Sequence, residues 1–282
     1  MKIIFSRKGF DSESGGCPSP ILSDGKMISL PIPDKNDLIK YSDLRYDKSN
    51  TYYDVITNFK KRIHSAEGWN EFNKDTTCHF DPDINFNAIK RDEKWRGVFG
   101  QCGGAQKHLE NRGVKEDDIF LFFGWFRRTI YKNNKLVFDP SDKDGKHILY
   151  GYMQVHEIIN DPDKDNIPSW MKYHPHVGRN KVNNKIYVAK KNASWNENIR
   201  GYGVFNYSSE LILSKEGYSK SRWDLPDIFK KVYISHHKEN NWKQDYFQSV
   251  GRGQEFVVDA NDEIIDWAVK LIENNCKKRG IG

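Results

Sequence analysis

Several groups of residues in this chain have the types and spacing for chemistry. Arg7-Lys8 follows a short apolar run and is followed in turn by Asp11, Gly15-Gly16 and Ser19. Two cations beside a turn of small residues can place positive charge and backbone N–H groups around a phosphate. No GK[ST] and no GxGxxG is present, so this is neither a Walker loop nor a dinucleotide fingerprint. A plain glycine turn with solvated cations fits the same residues.

His79-x-Asp81-x-Asp83 has the alternation that aims all three side chains to one side of an extended segment. That suits a divalent cation or an acid–base pair, and His174-x-His176 can add imidazoles to make a zinc or manganese site. Asp-Pro-Asp is equally ordinary turn chemistry. Gly251-Arg252-Gly253-Gln254-Glu255 precedes the apolar Phe256-Val257-Val258, so Gln254 and Glu255 stand at the mouth of a buried strand. There Glu255 is placed to act as a general base, to hold a ribose hydroxyl, or simply to form a salt bridge. Finally, Trp125 and Arg127 end one strand pattern, and Tyr150 and Tyr152 share a face of the next. The set can sandwich a base, at about 1–3 kcal/mol per stacked base, or fill an aromatic core.

The elements that must position these residues read as follows. Lys2 to Phe5 is a short strand, and Asp24-Gly25 turns a hairpin between Ile21-Leu22 and Met27 to Leu30. Apolar spacing over Tyr52 to Ile63 predicts a helix capped at Asn50 or Thr51. Ala105 to Asn111 is a second helix, and Asp262 to Asn274 a third, amphipathic one. Between them lie four strand patterns: Asp118 to Phe126, His147 to Val155, Asn184 to Ala189 and Glu210 to Ser214. The reading is a single α+β domain over 1–282 with a β-rich middle.

Composition narrows the classes. With 13% aromatic residues the chain has the means to bury a core, so disorder is excluded. No apolar run approaches bilayer length, and Met1 to Phe5 meets charge too early for a signal peptide. The 4 cysteines form no CxxC and the chain has no Gly-x-Ser-x-Gly elbow, which points to a reduced, cytoplasmic protein without a cysteine-type zinc site. A net charge of +6 admits nucleic acid or nucleotide phosphate without requiring either.

Two resemblances follow from particular segments. Glu116-Asp117-Asp118-Ile119-Phe120-Leu121-Phe122-Phe123-Gly124, then His147 to Val155 and Ile158 to Asp163, resemble the PUA-like barrel superfamily with its EVE and ASCH domains. That resemblance implies a mixed β-barrel core over about residues 104–235, with the terminal segments and a C-terminal helix packed on it. It also implies nucleic-acid binding, often with a modified base flipped into a pocket. Over the whole chain, Ser6 to Asp11, Gly15 to Pro20, Ser29 to Pro33, His79 to Asp83, Phe122 to Arg127 and Gly253 to Phe256 are similar to the third of the nucleotide-modification-associated domains. The theme this implies is DNA base modification or phage defence.

The expectation is therefore a protein that binds and processes a nucleotide or modified nucleobase. Glu255, Asp81 and Asp11 are the candidate catalytic groups. Arg7, Lys8, Gly15, Gly16, Ser19, Trp125, Arg127, Tyr150, Tyr152 and Gln254 are the candidate ligand contacts. His79, Asp83, His174 and His176 are the candidate holders of a divalent metal. Arg7 and Glu255 are expected to share a pocket. The alternatives are a non-catalytic reader of modified DNA and a metal-dependent nuclease or phosphohydrolase.

Overall fold

A computed structural model describes residues 1–163, 166–251 and 253–277. Nine strands form one mixed sheet: β1 (Ile3–Arg7), β2 (Ser19–Ile21), β3 (Val98–Gln101), β4 (Ile119–Lys132), β5 (Lys135–Phe138), β6 (Lys146–Ile159), β7 (Lys185–Ala189), β8 (Tyr202–Val204) and β9 (Glu255–Val258). Three helices accompany it: α1 (Tyr52–Phe59), α2 (Gly103–Asn111) and α3 (Asp262–Lys277). The strands run in the order β9-β1-β4-β6-β7-β3, with β8 on β6 and with β2 and β5 on the far half of β4. Strand β1 is parallel to β4 and antiparallel to β9.

The sheet centres on β4 and β6, each 14 residues long, with their register shifting opposite Phe122/Phe123, where Tyr150 is the extra residue of β6. Ile119 to Phe123 reads as an unbroken apolar run because both faces are covered. On one face Phe99 and Tyr187 pack on Phe120, with ring centroids 5.0 and 5.2 Å away. On the other, Trp223 meets Phe123 at 5.1 Å, and Phe5 meets Trp267 of α3 at 6.2 Å. The N-terminal region closes over its own apolar cluster, in which Tyr52, Val55 and Ile56 of α1 join Phe10, Tyr41 and Phe80.

The α+β class stands, with a large mixed sheet and a C-terminal helix. Among the described residues no ladder joins β9 to β3, so no closed barrel is found. Helix α1 stops at Phe59, earlier than its apolar spacing predicts. A reciprocal Thr51–Asp54 capping box starts it, Lys60 is extended, and Ile63 is buried from a two-stranded ribbon instead. The predicted strand over Glu210 to Ser214 is corrected: Ser209–Leu211 is a 3-10 turn. Leu211 and Leu213 are buried as alternation requires, but only single bridges form, at Ile212 and Ser214.

Candidate functional site

The end of β1 opens onto a cleft of about 460 Å³. Its rim carries Arg7 and Lys8, and beyond them lie Lys181 and Lys220. The Arg7 guanidinium donates to the carbonyls of Gly251 and Gly253 at 2.8 and 3.1 Å, which moors the loop before β9. Lys220 carries no carboxylate at ion-pair distance among the described residues. Its ammonium sits 3.7 Å from the ring centroid of Trp125, and burial, followed by Arg7, lowers its pKa despite Asp11. The Trp125 ring therefore lines the cleft with one face already covered by a cation.

His79, Asp81 and His176 form the floor, one ligand atom of each lying within 4.8 Å of the others. Strand β3 holds this floor in place. The Gly100 amide donates to Asp81 Oδ1 at 2.8 Å, and a Cβ on Gly100 would stand 2.2 Å from a His176 ring carbon. Only a residue without a side chain lets that imidazole lie against the strand. His174 Nε2 stands 3.2 Å from the same Oδ1, while Asp81 Oδ2 is 4.0 Å from His176 Nε2. Burial works to raise the Asp81 pKa, but the contact with His174 and the nearby imidazole charges outweigh it and hold the carboxyl down at about 2. Burial pushes the His176 imidazole down to about 3, against the pull of Asp81. His147, on another wall, is likewise held to about 3, by burial and then by Lys220 and Arg7.

The cleft thus gathers Arg7, Lys8, Asp11, His79, Asp81, Trp125, His176 and Gln254 from segments far apart in the chain. Other candidates lie elsewhere. Asp83 is buried against the Arg91 guanidinium and accepts from the Tyr173 hydroxyl at 2.7 Å, so it is turned away from His79. His174 supports Asp81 from behind and does not line the cleft. The turn from Asp11 offers no ring of free amides. Asp11 Oδ1 accepts from the Glu13 and Ser14 amides, Gly15 N donates to His64 and Gly16 N to the Asp11 carbonyl. Gly15 and Gly16, both at positive φ, instead let Phe10 and Trp69 pack against the backbone. Ser19 accepts from the Leu30 amide in the core.

Arg127 is held by the carbonyls of Asp139 and Asp142 over the Phe138 ring. Tyr150 is buried beside a void of about 30 Å³, and Tyr152 stacks on Phe205 with its hydroxyl donating to the Arg200 carbonyl. The strand tyrosines are core. Glu255 pairs in register with Ser6, so its side chain leaves the ladder on the face opposite to Arg7. It is buried, accepting from Lys8 Nζ at 2.8 Å and Gln101 Nε2 at 2.6 Å. Arg7 and Glu255 therefore do not share the cleft directly; Lys8 stands between them. Arg252 lies outside the described residues.

Sequence reasoning missed Gln101, Asp37, Asn184, His147, Lys181 and Lys220. The clustered glycines around Gln101 were the one local signal. Asp37 accepts from His79 Nδ1 at 2.9 Å and Asn184 Oδ1 from His176 Nδ1 at 2.7 Å, pairings that only the tertiary fold creates. A larger hollow of about 780 Å³ adjoins the cleft, but Glu13, Asp34, Glu67, Glu71 and Asp75 line it with Lys35 as its one lysine. That balance repels phosphate, so the first cleft is the better anion site.

A cationic rim with a half-buried aromatic, over a floor of imidazoles and a carboxylate, defines a polar cleft suited to an anionic, ring-bearing ligand. The chain belongs to the nucleotide modification associated domain 3 family, whose model matches residues 2–259. That membership links it to nucleotide modification and spans every segment that carried the resemblance. No curated protein and no solved structure matches the chain. Among the described residues no helix is long and apolar enough to cross a membrane.

Proposed function

We propose that the cleft binds a nucleotide, either free or as a modified base within DNA, and carries out a group transfer or hydrolysis on it. The observation that carries this reading is the convergence of Arg7, Lys181 and Lys220 on the cleft floored by His79, Asp81 and His176, with Lys8 held by Glu255 in its lining. Phosphate is met by the cations, with Arg7 and Lys220 nearest to carrying charge-assisted hydrogen bonds. The base lies against the uncovered face of Trp125, and Gln254 is a candidate contact to its polar edge. Glu255 is committed to Lys8 and Gln101, so the reacting groups are sought on the cleft floor. The curled sheet, with α2 leading through Glu116-Asp117 into β4, favours an open variant of the PUA-like design. Four scattered cysteines with no CxxC pair suit a reduced, cytoplasmic setting.

Binding of nucleoside phosphates and of modified and unmodified oligonucleotides, measured across a salt series, tests the reading. Free nucleotides bind with a shallow salt slope and polymeric DNA with a steep one. Conversion of the bound species, followed by mass spectrometry, separates an enzyme from a reader. Failure of every species to bind better than heparin overturns the reading.

A further inference from the structure

We infer that His79, Asp81 and His176 together form a binding site for one divalent transition-metal ion, open to the cleft. The argument rests on where the hydrogens are. Asn184 Nδ2 donates to the His176 carbonyl at 2.7 Å, which fixes the amide so that Oδ1 faces His176 Nδ1 at 2.7 Å. That ring nitrogen must donate, and a neutral His176 presents Nε2 as a lone pair. His79 is arranged the same way, with Nδ1 donating to Asp37 Oδ2 at 2.9 Å. Asp37 is in turn held by the Arg179 guanidinium. Of the Asp81 oxygens, Oδ1 is occupied by the Gly100 amide, so Oδ2 is left toward His176 Nε2 at 4.0 Å.

Two imidazole nitrogens and a carboxylate oxygen thus lie within 4.8 Å of one another, and among the described residues no hydrogen bond places a protein donor on His79 Nε2, His176 Nε2 or Asp81 Oδ2. A cation resolves that arrangement. Donor atoms bonded at roughly 2.1 Å stand about 3.0–3.4 Å apart, so closing the 4.0 Å Asp81–His176 gap, and the separations of up to 4.8 Å across the set, seats an ion. Each imidazole has the outer partner that metal-bound histidines use to fix tautomer and orientation. Two nitrogens and one oxygen select zinc, cobalt, manganese or iron(II) over calcium and magnesium, which prefer oxygen alone. Three protein ligands leave further positions free on the cleft side, the pattern of a reactive rather than a structural ion. The neighbouring group Asp34, Asp37 and His79 is a poorer candidate, because Arg179 already neutralises both carboxylates.

The test uses full-length protein stripped with a chelator and titrated with Co²⁺ alone, read by visible absorption and by calorimetry. Wild-type protein is expected to take up one ion per chain, and neither Mg²⁺ nor Ca²⁺ at equal concentration displaces it. H79Q and H176Q each weaken uptake at least ~10-fold, and N184A weakens it by ~10–100-fold through the loss of His176 orientation. H156Q, an exposed histidine remote from the cleft, binds as wild type. If H176Q fails to fold by circular dichroism, the half-buried His79 position decides. Absence of saturable Co²⁺ uptake by wild-type protein, or unchanged uptake by folded H79Q, overturns the inference. Nucleotide binding by the stripped protein is a separate readout, so the two ideas fail independently.

Discussion

Gln101 donates to Glu255 Oε1 at 2.6 Å, joining β3 and β9, which stand at opposite ends of the sheet's hydrogen-bonded order. The sheet has curled until its edges meet through side chains where backbone pairing is lacking. Lys8, the residue after β1, completes the junction, its ammonium 2.8 Å from the same carboxylate oxygen and 4.6 Å from the Phe99 ring centroid. The seam is buried and charged, and its Lys8 and Gln101 line the cleft.

Removing one partner of that pair leaves the other charge buried and uncompensated. Glu255→Ala is expected to lower stability by about 3–5 kcal/mol in urea unfolding, whereas replacing Lys8 and Glu255 together with apolar residues recovers most of the loss. A double variant no more stable than Glu255→Ala would show that the pair does not behave as a coupled unit.

Arg7 and Arg127 make a matched comparison. Both donate to backbone carbonyls, but Arg7 lines the cleft whereas Arg127 sits over Phe138 and does not. Arg7→Ala should weaken calorimetric binding of a nucleoside phosphate by about 1–3 kcal/mol. Arg127→Ala should leave it unchanged, and equal losses would remove Arg7 from the binding role.

Gly100→Ala tests how the floor is built. The added methyl would meet the His176 ring at 2.2 Å, so the imidazole must move off β3. Loss of the native His176 imidazole resonance environment in NMR, together with a lowered thermal midpoint, is the expected result. An unperturbed His176 signal would contradict the packing described.

Acid should loosen the protein through His147. Its folded pKa of about 3 lies below the ordinary value of 6.5, so the unfolded chain binds the extra proton. The neutral imidazole's contribution is complete above pH 6.5 and is lost progressively as pH falls toward 3, by at most about 1.4 kcal/mol per unit. His147→Gln should flatten the stability–pH curve in that window. An identical slope would mean that other groups govern acid unfolding; His237, held by burial to about 4, is the next to examine.

What was legible in the sequence was local. Arg7-Lys8 at a strand end and His79-x-Asp81 in a turn segment carry their chemistry in adjacent positions, and both reach the cleft. The same alternation extended one step too far at Asp83, because Arg91 supplies a closer partner that spacing does not reveal. Tyr150 and Tyr152 looked like a stacking platform, yet a sheet covered on both sides makes them core. Gln101, Asp37 and Asn184 carry no distinctive motif. Their roles come from strands and loops brought together across the chain, and single-sequence patterns do not record those meetings.

The pairing of β1 with β9 also fixes a timetable. Lys8 and Glu255 are separated by 247 positions, and Arg7 donates to the carbonyls of Gly251 and Gly253. A chain emerging from the ribosome presents Arg7 and Lys8 early but cannot finish the cleft until Glu255 and its strand have been made. Until then the apolar edge of β1 has β4 on one side and nothing on the other, a non-local closure of the kind that slows folding. Ligand binding therefore serves as a late folding marker: a nascent chain halted before Glu255 has most of the binding residues and no assembled cleft.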